Sequence, residues 1–144
     1  MHTIYLALGT NLGDKHALML EAIDQINKKI GTILCQSSFY ETEPWGFVSN
    51  NTFLNACVKV ETELSVWKVL NTTQAIEKEM GRTKKSVDGH YSDRPMDIDI
   101  LFYDDLHINT PQLIIPHPKM LEREFVMKPL SEIRIALIPQ HKFL

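Results

Sequence analysis

The chain has 144 residues, 44% of them apolar and 23% charged, with a formal net charge of −3 at pH 7. That size and balance predict one soluble globular domain, 1–144, able to bury its own core. The slight negative charge excludes a whole-molecule footprint for nucleic acid, so an anionic ligand must be met by a local basic cluster.

Residues 3–8 read as a buried strand ending at Gly9, followed by a turn in which Asn11 or Asp14 caps a helix. That helix carries a stripe of Leu20, Ile23, Ile26 and Ile30, and Gly31 ends it. Residues 32–40 read as a second strand and 41–52, with Pro44 and Gly46, as a long loop. Residues 53–62 form a third strand whose face of Leu54, Ala56, Val58 and Val60 meets the core. Ser65 caps a second helix with Trp67, Leu70, Ile76 and Met80 on or near its buried stripe, and Gly81 stops it. Residues 82–93 are a second long loop, basic at its start, and 96–103 a fourth strand. Asp104-Asp105 reads as a hairpin turn, and a short helical piece follows near 123–127.

The order β-α-β-loop-β-α-loop-β predicts an α+β, ferredoxin-like fold: a mainly antiparallel sheet with helices on one face and two long active-site loops. Cys35 and Cys57 sit in apolar, strand-like contexts and are expected as reduced thiols. The start lacks a basic leader, and no apolar run reaches membrane-spanning length. The expectation is a cytoplasmic monomer with no nucleic-acid or membrane partner.

Asp97 and Asp99 carry the clearest chemistry. On a strand they share a face, with Cα atoms roughly 6.5–7 Å apart. Two bare carboxylates there repel, whereas magnesium accepts one or two carboxylates plus phosphate oxygens and water. An isolated Asp-x-Asp reads more simply as a charged edge strand. Arg94, three residues upstream of Asp97, and Arg82, Lys84 and Lys85 in the preceding loop shift the balance toward a metal–polyphosphate site. Neither Gly-x-x-x-x-Gly-Lys-Ser/Thr nor Gly-x-Gly-x-x-Gly occurs, so side chains and metal must hold any nucleotide.

Several segments together are recognisable. Gly9-Thr10-Asn11-Leu12-Gly13-Asp14, Ser37-Ser38-Phe39-Tyr40-Glu41-Thr42-Glu43-Pro44-Trp45-Gly46, Phe53-Leu54-Asn55-Ala56, Arg94-Pro95-Met96-Asp97-Ile98-Asp99, Ile115-Pro116-His117-Pro118 and Arg123-Glu124-Phe125-Val126 occur in order. Over nearly the whole chain this resembles the 6-hydroxymethyl-7,8-dihydropterin pyrophosphokinases of folate synthesis. The resemblance implies transfer of the β,γ-pyrophosphoryl unit of ATP, the co-substrate, to the pterin hydroxymethyl group, releasing AMP. It implies two Mg2+ ions on Asp97 and Asp99, with Arg82 and Arg94 as catalytic phosphate contacts. Gln74, Glu77, Lys84, Lys85, Arg94, Ile100, His117 and Arg123 match the ATP side. Gln74 and Glu77 could equally be a solvated helix face, and His117 a packed imidazole. Thr42, Pro44, Trp45, Phe53, Asn55 and Phe125 match the pterin side. There Asn55 offers both hydrogen-bond types and the two phenylalanines can stack on the ring. Lys84 stands where many relatives carry arginine, which removes bidentate phosphate contact. Phe53 and Tyr91 also depart from the commoner tyrosine and tryptophan.

Two rivals remain. A metal-dependent nucleotidyltransferase also uses Asp-x-Asp but releases pyrophosphate. A ferredoxin-like binding module would not require Arg94, Asp97 and Asp99 together, and the aromatic RNA-binding signature is missing.

Overall fold

The structure, a computed structural model, describes residues 1–42, 52–82 and 96–134. Its elements run β1 (His2–Thr10), α1 (Lys15–Lys29), β2 (Gly31–Gln36), β3 (Tyr40–Thr42), β4 (Phe53–Thr62), α2 (Val66–Glu77), β5 (Asp97–Tyr103), β6 (Ile108–Asn109), β7 (Ile114–Ile115) and α3 (Glu124–Arg134). The main sheet has the order β2-β4-β1-β5, with β3 also on β4, and every pairing is antiparallel. With β3 set aside this is the split βαβ arrangement expected from the order of elements.

Alternation along the central strands divides the core in two. Ile4, Leu6 and Leu8 of β1 with Leu54, Ala56, Val58 and Val60 of β4 face α1 and α2. Tyr5 and Ala7 with Cys57 and Leu101 face Val126, Leu130 and Ile133 of α3. Two helices therefore cover one face as expected, and α3 covers the other. That helix is longer than the short piece expected at 123–127. It runs through Pro129, whose missing N–H and ring normally break helices, and burial of Val126, Pro129, Leu130 and Ile133 on the sheet offsets that cost.

Other differences are local. Asp14, not Asn11, caps α1, accepting from Ala17 N at 3.1 Å. Leu20 is 58% exposed, whereas Ile26 and Ile30 are buried as expected, Ile23 packs against the core, and Met19 and Ala22 complete the buried stripe. Gly31 opens β2 rather than serving as a left-handed stop. A Cβ there would lie 2.1 Å from Glu61 O, so the glycine permits close approach of β2 to β4. Ser65 caps α2 as expected, but Trp67 is 44% exposed. Gly81 has φ +106° and turns the chain after α2. The single strand expected at 32–40 is two. Ser37 Oγ accepts from Cys57 N at 2.9 Å, standing in for a main-chain carbonyl, and the chain leaves the ladder there. Finally, β6 pairs with β7 rather than folding back on β5.

Candidate active site

The sheet register builds the site on the α3 face, at the end of β1 that leads into α1. Gly9 of β1 pairs with Asn55 of β4 on one side and Asp97 of β5 on the other; Ala7 pairs with Cys57 and Asp99. Directly paired antiparallel residues share a face. Asp97 and Asp99 therefore share one face, as alternation predicts, and look across the smallest side chains of β1. Two inter-strand steps put the Asn55 and Asp97 backbones about 10 Å apart. Gly9 is the bare floor between them.

The bare floor is structural. A Cβ at Gly9 would lie 3.0 Å from Asn55 Oδ1 and 4.0 Å from Phe53 Cδ1. Asn55 is buried, and its Nδ2 donates to Thr42 Oγ1 at 2.8 Å, a bond made possible by the pairing of β3 with the start of β4. Phe53, Asn55 and Cys57 alternate along β4 on this face. Cys57 Sγ lies 3.8 Å from Val126 O, which puts the first turn of α3, with Phe125, against the same strand. Thr42, Phe53 and Asn55 are thus brought together at the start of β4, and Phe125 opens the helix that packs on the same strand. Lys15 of α1 donates to Thr52 Oγ1 at 2.9 Å, and Thr52 donates to Glu41 at 2.7 Å, joining the segments that flank 43–51.

On the other side, Glu77 is buried at the end of α2, and its Oε2 accepts from Ile98 N at 2.7 Å. That excludes a solvated face for Glu77; it ties α2 to β5 between the two aspartates. Gln74, one turn earlier, is exposed. Ile100 packs its side chain into the core on the opposite face from the aspartates, so any nucleotide contact there falls to its main chain. His117 N donates to Leu101 O at 3.2 Å, holding that residue against β5. Its Nδ1 accepts from Lys119 N at 3.3 Å, which leaves Nε2 to carry the proton. Burial, with the Arg123 charge adding to it, holds His117 below the ordinary imidazole pKa, against an opposing pull from Asp97. A neutral ring offering Nε2–H is the result. The Arg123 guanidinium carbon lies 5.6 Å from the Phe125 ring centroid, next to both halves of the site.

Arg82 closes the turn Lys78–Arg82 after α2. Its side chain, with Pro44, Trp45, Lys84, Lys85 and Arg94 and most of both long loops, lies outside the described residues. Two carboxylates on one strand face, with no cluster of three potential metal ligands among the described residues, fit a hard cation completed by phosphate and water.

Residues 5–135 match the profile of the 7,8-dihydro-6-hydroxymethylpterin-pyrophosphokinase family. The chain belongs to this family. A 2-amino-4-hydroxy-6-hydroxymethyldihydropteridine pyrophosphokinase of Porphyromonas gingivalis is 48% identical over 97% of this chain and 96% of its own length. The protein of the same name from Bacillus subtilis is 41% identical over 90% and 76%. Among solved structures, the wild-type Plasmodium falciparum HPPK-DHPS superposes with TM-score 0.71 at 20% identity, over 90% of this chain and 40% of that one. That likeness establishes the fold shared with the HPPK proteins.

The sequence did not single out Gly9, Glu132, Ser38 or Tyr40 as functional. Gly9, Ser38 and Tyr40 stood within recognised motif segments. Glu132 is bonded to residues 92 and 94 positions away and carried no local signal.

Proposed function

We propose that the chain transfers the β,γ-pyrophosphoryl group of ATP to the hydroxymethyl oxygen of 6-hydroxymethyl-7,8-dihydropterin, releasing AMP, and that Asp97 and Asp99 hold the Mg2+ this requires. The observation that carries the division of labour is the register at Gly9. A hydrogen-bonding amide stands on one side of an empty strand position and a carboxylate on the other.

On this reading Asn55 and Thr42 recognise the amide-like edge of the pterin, and Phe53 and Phe125 stack on its ring. Gly9 leaves room for the ring to lie across β1 with its hydroxymethyl group toward β5. Asp97 and Asp99 bind the cations, two in number, that accompany the phosphates. When bound, magnesium neutralises phosphate charge and aligns attacking and leaving oxygens. Glu77 fixes the main chain between the aspartates, so their carboxylates are set before ATP arrives. His117 donates Nε2–H, and Arg123, Arg82 and Arg94 bring positive charge to the phosphates, with Lys84 and Lys85 assisting and Gln74 and Ile100 flanking the nucleotide. Pro44 and Trp45 complete the pterin wall. No side chain need form a covalent intermediate, so positioning and charge supply the rate. The proposal includes a cytoplasmic monomer.

The test is product analysis. Protein, Mg2+, ATP and the hydroxymethyl dihydropterin should yield AMP only when all are present. Release of free pyrophosphate with a nucleotidylated product would favour the nucleotidyltransferase rival, and absence of AMP from folded protein would reject the reading.

A further inference from the structure

Glu132 lies on α3, seven residues past Phe125, and faces the start of β3. Its Oε1 accepts from Ser38 N and from Ser38 Oγ, each at 2.8 Å, and its Oε2 accepts from Tyr40 OH at 2.5 Å. One side chain thus gathers three donors from the segment that leads to Thr42. That segment needs an anchor. β3 has three residues and pairs only with β4 among the described residues. So short a strand with one neighbour is marginal by itself. Main-chain pairing with β4 also lapses between Ser37, whose N–H still donates to Cys57 O at 2.9 Å, and Tyr40, so β3 is not a simple continuation of β2.

Consider what each end of the contact carries. Tyr40 pairs with Asn55, and Thr42, two residues on, accepts the Asn55 amide. At the other end, α3 opens with Glu124 and Phe125 and packs its buried stripe on Cys57 and Leu101. One wall of the proposed pterin pocket is therefore β3 with Asn55, the other is the first turn of α3. Apolar contacts seat α3 on the sheet but are non-directional and do not set its position along β4. Three hydrogen bonds donated to one carboxylate do.

We propose that Glu132 is a positioning residue for pterin recognition: it locks α3 to β3 and so fixes the Phe125 wall relative to the Thr42–Asn55 wall. The inference rests on the proposed pterin site and deepens it. Glu132 touches neither substrate. Without its carboxylate, Thr42 and Asn55 no longer meet the ring at a set distance from Phe125, and pterin affinity falls; the ATP side loses less, because Asp97, Asp99 and Glu77 stand on β5 and α2 and only Arg123, whose carbonyl opens α3, moves with that helix.

The experiment compares wild type with Glu132→Ala, Glu132→Gln and Tyr40→Phe. It measures KM for each substrate, kcat, the equilibrium Kd for the pterin, and the melting temperature. Expected is a rise of about tenfold in the pterin KM and Kd for Glu132→Ala, equivalent to about 1.4 kcal/mol, with a clearly smaller rise of about threefold or less in ATP KM and with kcat within about twofold. Glu132→Gln, which keeps one acceptor oxygen, should recover part of the loss, and Tyr40→Phe should show a smaller rise. A folded Glu132→Ala with unchanged pterin affinity would overturn the proposal. So would equal losses toward both substrates that track the folded fraction. If Glu132→Ala does not fold, Tyr40→Phe, which removes one hydrogen bond and no charge, decides alone: an unchanged pterin Kd rejects the role. The wild type run in parallel separates the two claims, because wild type that makes no AMP overturns the functional reading, whereas turnover with an unmoved variant overturns only this one.

Discussion

Gly9→Ala separates the pterin wall from the metal wall with a single methyl group. Gly9 has no positive φ, so alanine fits its backbone, and the loss of glycine's freedom in the unfolded chain favours folding by about 0.4–1 kcal/mol. The added Cβ meets Asn55 Oδ1 at 3.0 Å and Phe53 Cδ1 at 4.0 Å, and among the described residues no atom of Asp97 or Asp99 comes within 4 Å of it. Asn55 is buried and bonded to Thr42, so it must give way by leaving its rotamer, its hydrogen bond, or both. An off-rotamer side chain costs about 0.5–1.5 kcal/mol and a lost neutral hydrogen bond about 0.5–1.5 kcal/mol. The sum, about 1–3 kcal/mol, corresponds to a pterin Kd weakened by roughly 5- to 150-fold. Titration calorimetry of the pterin into protein saturated with Mg2+ and a nonreactive ATP analogue measures it, and titration of the analogue alone is the control. The melting temperature should fall slightly, because that cost outweighs the gain from losing glycine's freedom, and the analogue's Kd should stay within about twofold. An unchanged pterin Kd, or equal weakening of both ligands, would refute the placement of the pterin over Gly9.

Gly31→Ala should lose stability more clearly, by at least about 1–3 kcal/mol in chemical denaturation, because its Cβ would meet Glu61 O at 2.1 Å in a close strand pair. Burial pushes the Cys57 thiol up to about 12, so native protein treated with iodoacetamide at neutral pH should be labelled at half-buried Cys35 and not at Cys57. Hydrogen bonding from Tyr40 lowers the Glu132 pKa, bonding from Thr52 that of Glu41, and the Thr3 N–H that of Asp104. These folded values lie below the unfolded ones, so the stability they give is present above the ordinary carboxylate range. It is lost as pH falls below about 4 toward the folded values. Melting temperature followed downward through that window should drop less steeply in Glu132→Gln than in wild type.

Most of the fold is legible in local patterns. Alternation in β1 and β4, the Ser65 cap and the chain reversal at Gly81 are set by neighbours in sequence, and the strand order follows from the order of elements. The failures come where tertiary contact overrides local preference. Leu20 and Trp67 fit an apolar stripe yet face outward, because the sheet selects Met19 and Val69 instead. α3 outruns its sequence signal because Pro129 reads as a stop until the sheet supplies a surface to bury it. The acid pair was legible since period-two alternation alone puts Asp97 and Asp99 on one face. Glu77 was not separable from a solvated helix face, because only the packing of α2 on β5 brings Ile98 N to it. Glu132 lies beyond the short helical piece expected near 123–127, and its partners appear only when β3 folds against α3.

The site moves a pyrophosphoryl group, on the proposed reading, under the control of Asp97 and Asp99. ATP labelled with radioactive phosphorus at the β position tests it most directly, with wild type, Asp97→Asn and Asp99→Asn compared at equal Mg2+. Label should pass into the pterin product and leave AMP unlabelled. Each variant, folded and no less stable because a repulsive charge is gone, should slow by more than the roughly hundredfold typical of losing a mere supporting partner of a metal ligand. Label retained in ADP or released as free pyrophosphate, or a folded Asp97→Asn that turns over at the wild-type rate, would contradict it.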